Sequence, residues 1–168
     1  MSPRLLVTHA RRASKLEILV ANAWRAVRWA HCGGSAICDT CYDGVDLRPI
    51  KADPRNPTLR RYACHSCQRI VTDWSDTWLA PLKAPLARWA WLVLYEALNH
   101  GVGPEIMGRQ INLRHHTIRG MRDKLATAPE RFLAEWRQAL LAQGVTLVKL
   151  TAALLASRPK AEGRNPLT

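Results

Sequence analysis

The chain contains two cysteine pairs of identical spacing, Cys38-Asp-Thr-Cys41 and Cys64-His-Ser-Cys67, separated by about twenty residues. A Cys-x-x-Cys turn places two thiolates about one tetrahedral edge apart, and two such turns supply four sulfur ligands for Zn²⁺. Because no coordination position would remain for water, the predicted metal is structural and not catalytic. The pattern therefore predicts a small zinc ribbon in which Cys38, Cys41, Cys64 and Cys67 hold Zn²⁺.

The cysteine count argues against a disulfide framework. Five cysteines are an odd number, and we find no export signal in the sequence. Cys32 lacks a partner at the Cys-x-x-Cys spacing, although it could substitute for one of the four predicted ligands. Redox-active or free thiols are the alternative use of the two pairs. His65 lies inside the second pair, where we expect a surface residue.

The residues beside the cysteine pairs predict strands and tight turns. Val45, Leu47 and Ile50 alternate loosely, as in a strand, and Gly44 suits the tight turn after the first pair. Residues 60–63 lead into the second pair, and residues 70–72 lead out of it. A strand, a knuckle and a further strand are typical of a zinc ribbon.

The remaining sequence is predominantly helical in pattern. Ser14 and Glu17 predict a capping box for an amphipathic helix that Gly33-Gly34 ends. The fold class is therefore mainly α with a small β zinc ribbon. We predict a basic arm and amphipathic helix at 1–34, the zinc ribbon at 35–78, a helix-turn-helix domain at 79–127, C-terminal helices at 128–156 and a disordered tail at 157–168. The tryptophans, seven in number, mostly sit among apolar residues at helical spacing, which predicts core packing.

The helix-turn-helix prediction depends on residues 104–125. Apolar residues at Met107, Ile111, Leu113, Ile118 and Met121 would bury one face of each of two short helices. Gly108 is the small residue required where the helices approach. Asn112 stands where the turn needs a left-handed backbone, which asparagine tolerates better than most residues.

The charge of the chain favours a polyanionic partner. Lys and Arg total 25 against 13 Asp and Glu, which gives a net charge of +12 and a pI of about 10.3. The exposed side of the second short helix would meet base edges in the major groove of double-stranded DNA. The predicted DNA-binding residues are Arg109, Arg114, His115, His116, Thr117, Arg119, Arg122 and Lys124, together with Arg60 and Arg61 of the ribbon. A solvated basic helix face is the alternative.

The sequence contains no catalytic constellation that we recognise. Its acidic residues cluster in the ribbon and its flanks, and neither a Ser-His-Asp arrangement nor a glycine-rich phosphate loop is evident. No run of 18 apolar residues is present, so no membrane span is predicted. We therefore expect a cytoplasmic, nucleoid-associated protein that is not an enzyme.

Several motifs together resemble the N-terminal DNA-binding region of insertion-sequence transposases. They are Arg61-Tyr62-x-Cys64-x-x-Cys67, an aromatic-rich exit, a Trp-containing helix and Met107-Gly108-Arg109-Gln110-Ile111-Asn112-Leu113, followed by a basic helix. The likeness covers residues 36–125. It implies that the four paired cysteines hold zinc and that residues 114–122 read an element end or operator. The usual proline of the first knuckle is absent, and we expect no catalytic domain.

We therefore predict a sequence-specific DNA-binding protein, a transcriptional regulator of a mobile element, phage or plasmid. The alternatives are a zinc-stapled adaptor that binds another protein, and an accessory subunit of a transposition or recombination complex. A homodimer is also expected. Its predicted seam consists of Leu140, Leu141, Val148, Leu154 and Leu155.

Overall fold

A computed structural model describes residues 13–42, 47–53, 56–81, 84–99 and 101–157. This part of the chain is mainly helical and carries one small antiparallel sheet, which confirms the predicted content of helix and sheet. The helices are α1 (Lys15–Arg28), α2 (Leu86–Leu98), α3 (Pro104–Ile111), α4 (His115–Leu125), α5 (Glu130–Ala142) and α6 (Leu147–Ala156). The strands are β1 (Leu47–Ile50), β2 (Arg61–Cys64) and β3 (Ile70–Thr72). The predicted basic arm, Gly44 and Val45 lie outside the described residues, as does the tail beyond Ser157.

Helix α1 begins with the capping box that the sequence predicts. The Ser14 hydroxyl accepts a hydrogen bond from the Glu17 backbone N–H, and the Glu17 carboxylate accepts one from the Ser14 N–H at 2.8 Å. The helix ends at Trp29, where a short 3-10 turn (Ala30–Cys32) leads to Gly33, whose φ of 66° is left-handed. This turn redirects the chain from α1 toward the first cysteine pair.

The sheet has the strand order β1-β2-β3, with both pairs antiparallel. Tyr62 of β2 is aligned with Pro49 and Val71, so these residues share one face. Arg61 is aligned with Ile50 and Thr72 on the opposite face. The first face is the inner one, because Val71 is buried and packs with Trp29 in a small core that also contains Cys38 and Cys64.

The main core lies between the helices and is rich in tryptophan. Trp24 of α1 is fully buried, and its ring makes edge contacts with Trp136 at 4.9 Å and Phe132 at 5.0 Å between centroids. Trp78, in the segment before α2, approaches Trp24 at 6.0 Å and Trp89 at 5.8 Å. This cluster confirms the predicted core role of the tryptophans, and it places α1 in the same core as α5 although they are far apart in sequence.

Helices α3 and α4 are joined by a tight turn. Asn112 adopts a left-handed conformation with φ 56° and ψ 46°, as predicted for this position. A Cβ on Gly108 would lie 2.5 Å from the backbone oxygen of Leu113, so only glycine fits there. Met107, Ile111 and Ile118 are buried, which fastens both helices to the main core.

The C-terminal pair α5 and α6 completes the helical unit. Helix α5 packs against α1 and α2, and α6 packs against α2 and α3. Within the described residues, no single helix has both the length and the apolarity needed to cross a membrane. Helices α5 and α6, which are bent by 81° at their junction, meet those limits of length and composition only when they are taken together.

Candidate metal centre and candidate nucleic-acid interface

The two Cys-x-x-Cys segments adopt the same turn. The Tyr42 N–H donates to the Cys38 carbonyl at 2.6 Å, and the Gln68 N–H donates to the Cys64 carbonyl at 2.9 Å. In each segment the residue after the second cysteine is left-handed, with φ 55° at Tyr42 and 62° at Gln68. The residue that closes the first turn is therefore Tyr42 and not a glycine. The thiols of the two turns face one another.

The four sulfur atoms converge. All four Sγ atoms lie within 4.8 Å of one another, with 3.6 Å between Cys38 and Cys67 and 3.9 Å between Cys41 and Cys64. Four sulfurs about 2.3 Å from a tetrahedral Zn²⁺ are separated by about 3.8 Å. The observed spacing therefore fits a single tetrahedral metal ion. The structure brings together all four residues that the sequence predicts as ligands.

The electrostatics of the cluster also fit a divalent cation. Contact with the Cys67 thiol, followed by burial, raises the pKa of Cys41 to about 12. Burial acts to raise the pKa of Cys38, but the backbone N–H groups of Cys41 and Thr40 outweigh it and lower that pKa to about 7. Thiolates crowded this closely repel one another, so full deprotonation requires a compensating positive charge. A zinc ion would supply that charge.

Arg69, a basic ribbon residue to which the sequence assigns no structural role, holds the two turns together. Arg69 follows the second cysteine pair, and its Nη1 donates to the Thr40 hydroxyl of the first pair at 2.7 Å. Its Nη2 binds both carboxylate oxygens of Asp76 at 2.7 and 2.8 Å. The position of Arg69, two residues after Cys67, is the sequence signal that could have indicated this role.

A further arginine joins the four-cysteine cluster to the helical unit. Arg28 of α1 binds the carboxylate of Asp39, which lies between Cys38 and Cys41, at 3.1 Å. The same guanidinium lies 4.2 Å from the centroid of Trp29, and the buried Trp29 side chain packs against Cys38 and Cys64. The four-cysteine cluster is thus supported on one side by α1.

The remaining candidates near the metal centre lie apart from it. The Cys32 thiol is half-buried and is not a member of the four-sulfur cluster. His65 is exposed within the second turn, as expected of a surface residue. Neither residue belongs to the candidate ligand set in the described part of the chain.

A second group of predicted residues meets at the turn between α3 and α4. Arg109, Arg114, His115 and His116 line an open cleft of about 360 Å³ there. All four are exposed, as is Arg119 on the next turn of α4. None of these five side chains makes an ion pair or a hydrogen bond with another described residue, and the two histidine rings contact each other at 5.5 Å. Thr117 is half-buried beside them.

Arg122 and Lys124, both predicted to contact DNA, bind other parts of this chain. Arg122 pairs with Glu96 of α2 and donates to the Val102 carbonyl at 2.7 Å. Lys124 donates to three consecutive carbonyls, those of Leu79 at 3.0 Å, Ala80 at 3.2 Å and Pro81 at 3.3 Å. Both cations are half-buried, so they hold the last turns of α4 against α2 and the segment that precedes α2.

The two predicted ribbon contacts lie at the start of β2. Arg60 is exposed, and its backbone N–H donates to Asp73 at 3.1 Å. Arg61 is half-buried on the outer face of the sheet, opposite the face that carries the metal centre. Neither side chain forms an ion pair with a described residue. The ribbon cations and the α4 cations therefore occupy separate elements of the fold.

Comparison of the chain with protein-family models, with curated proteins and with solved structures gave no match. The resemblance to transposase DNA-binding regions accordingly stays a prediction from the motifs.

Proposed function

We propose that this protein is a zinc-stabilised, sequence-specific DNA-binding protein in which α3 and α4 act as a helix-turn-helix. The observation that supports this best is the division of charge along α4. Arg114, His115, His116 and Arg119 are exposed and unpaired within the described residues, whereas the cations of the last turns bind the protein itself. Free arginine and histidine side chains on the first turns of a helix suit phosphates and base edges of the major groove.

The four cysteines would hold one structural Zn²⁺ as part of this function. Four sulfur ligands leave no open coordination position, so the metal would supply folding free energy and no reaction. The small core around Trp29 and Val71 buries too little apolar surface to be stable without a cross-link such as a bound metal ion. Zinc would thus keep the sheet, with Arg60 and Arg61, in a fixed place next to α1.

By the motif resemblance, the biological role would be that of a regulator or accessory DNA-binding protein of a mobile element. A protein adaptor is the competing function. It would use the same zinc-stapled fold, but its affinity for DNA would be incidental and would show no preference for sequence.

Selection of bound sequences from random DNA duplexes tests the proposal. A selected motif, and a loss of about tenfold or more in affinity for it in Arg119→Ala, is the expected result. Arg131→Ala is the matched control, because it removes one exposed cation from α5 and should leave binding unchanged. If no motif is enriched and Arg119→Ala binds DNA like the parent protein, the adaptor function is favoured.

We also propose that the DNA-binding form is a homodimer. Of the predicted seam residues, Leu141, Val148 and Leu155 are 58, 79 and 45% exposed, whereas Leu140 is buried in the main core and Leu154 packs partly against it. Helix α6 is therefore apolar on its outer side as well as its inner side, which is typical of a helix that has a further partner. An isologous pair would present two α4 helices to two half-sites.

Sedimentation equilibrium tests the dimer. We expect a dimer whose dissociation constant rises strongly in Val148→Glu, because a carboxylate would be buried in an apolar contact. Gln143→Glu, which adds the same charge just beyond α5, is the control. A parent protein that sediments as a monomer at high concentration would contradict the dimer but not the DNA-binding proposal.

A further inference from the structure

Gly120 lies in the interior of α4, where the fold gives no reason for a glycine. It is exposed and its backbone is helical. A Cβ built at this position meets no atom within 4 Å. Glycine is the least favourable residue in a helix interior apart from proline, because it loses the most backbone entropy on folding. Alanine would therefore fit the fold better at this position.

The other described glycines are accounted for by their own surroundings. Gly33, Gly34, Gly101 and Gly144 have φ between 66° and 84°, a range that disfavours any side chain. Gly108 lies against the Leu113 carbonyl, and Gly103 caps α3 with its Cβ position 3.2 Å from the Glu105 carboxylate. Among the glycines that the structure describes, Gly120 alone lacks an intramolecular explanation.

Gly120 also lies on the side of α4 that faces away from the protein. An α-helix turns about 100° per residue, so His116 and Gly120 are about 40° apart and Arg119 lies on the same side. The buried residues of α4, which are Ile118, Met121 and Leu125, lie on the opposite side. The glycine thus lies on an exposed face that begins with arginine and histidine side chains that have no partner among the described residues.

We propose that Gly120 is the point of closest approach between α4 and the major groove, and that it contributes to sequence specificity. This inference rests on the proposed DNA-binding function. The missing Cβ would let the helix backbone approach the base edges while His116 and Arg119 reach the DNA on one side of it. Asp123, exposed one turn later, is the acidic residue that would end the cationic part of this face.

Gly120→Ala provides a test in which stability and binding move in opposite directions. We expect a melting temperature about 2 °C or more above that of the parent protein, because alanine favours the helix. Affinity for the selected DNA duplex should fall about tenfold or more, and further in Gly120→Leu, because each added side chain separates the helix from the groove. Ala26→Gly, at an exposed position of α1, should lower the melting temperature and leave the DNA affinity unchanged.

Each outcome decides the inference. If Gly120→Ala binds the duplex as tightly as the parent protein while Arg119→Ala binds weakly, the close approach at Gly120 is wrong and the DNA-binding proposal stands. If Arg119→Ala has no effect, the DNA-binding proposal fails and the inference fails with it. A lower melting temperature in Gly120→Ala would also overturn it, since the fold itself would then require the glycine.

Discussion

The Arg25 guanidinium of α1 lies 3.2 Å from Oδ2 of Asp73, the residue that follows β3, and both side chains are largely buried, at 13 and 1% exposure. Asp73 also accepts the Arg60 N–H, and its backbone carbonyl accepts the Trp24 indole N–H at 2.8 Å. One carboxylate therefore connects the sheet that carries the four-cysteine cluster to the main helical core. Removing either partner of such a buried pair is strongly destabilising, because the remaining charge is poorly solvated.

Arg25→Met should lower the free energy of unfolding by about 3–5 kcal/mol, because it leaves the Asp73 carboxylate buried without its cation. Urea denaturation followed by tryptophan fluorescence measures the change. Arg131→Met breaks the exposed pair with Glu135 and should change stability by less than about 0.5 kcal/mol. Equal effects of the two substitutions would mean that the buried pair has no special role.

The stability deficit of Arg25→Met should shrink as the pH falls. Burial raises the pKa of Asp73 above its ordinary value, and the Arg60 N–H and Arg25 only partly oppose this. Because the pKa of Asp73 is higher in the folded than in the unfolded protein, protonation of Asp73 stabilises the fold. This stabilisation is complete below the ordinary aspartate pKa of about 4, and it is lost as the pH rises through the raised pKa. Protonation relieves the unpaired carboxylate in the variant. Urea denaturation of both proteins at several pH values from neutral to acidic measures the deficit, and a pH-independent value would contradict the prediction.

Removal of zinc should unfold the sheet. Two of the four thiols, those of Cys38 and Cys64, are buried in the small core with Trp29, so losing the metal would open that core to water. We expect one zinc ion per chain by elemental analysis, and a large fall in melting temperature with a chelator. Cys67→Ser should reproduce the effect of the chelator, whereas Cys32→Ser should retain both the zinc and the melting temperature. Zinc loss in Cys32→Ser would place the fifth cysteine in the site.

Lys124→Met should destabilise the protein without changing how DNA binding depends on salt. A hydrogen bond from a charged donor contributes about 1.5–3 kcal/mol to stability. Loss of the three carbonyl contacts should therefore lower the free energy of unfolding by about 2 kcal/mol or more. Lys149→Met, which removes one exposed bond to Gly144, should have a small effect. A protein that lost a phosphate contact would show a slope of log affinity against log salt that is shallower by about 0.9. A slope that is shallower by this amount in Lys124→Met would show that Lys124 contacts a DNA phosphate.

Much of the local structure follows from short sequence patterns. The capping box at Ser14, the left-handed turn at Asn112 and the small residue at Gly108 are confirmed, because each depends on neighbours within a few residues. The four-cysteine cluster is confirmed for a similar reason. Each Cys-x-x-Cys turn is a local structure, and a metal site needs only that the two turns meet. The left-handed residues that close the two turns, Tyr42 and Gln68, are not evident from the sequence, because neither residue type favours a positive φ.

Which cations are free to meet a partner is a different kind of property. Composition and helical spacing place Arg119, Arg122 and Lys124 on one basic helix, and they do not show which of the three the fold leaves free. The distinction comes from contacts made across long stretches of chain, those of Arg122 with Glu96 and of Lys124 with Leu79, Ala80 and Pro81. The same is true of the acidic residues of the ribbon, which Arg25, Arg28 and Arg69 bind. Short-range pattern thus specifies the elements and the four-cysteine cluster, whereas the packing of distant segments selects the charges that remain exposed, because a charge is neutralised by whatever folds against it.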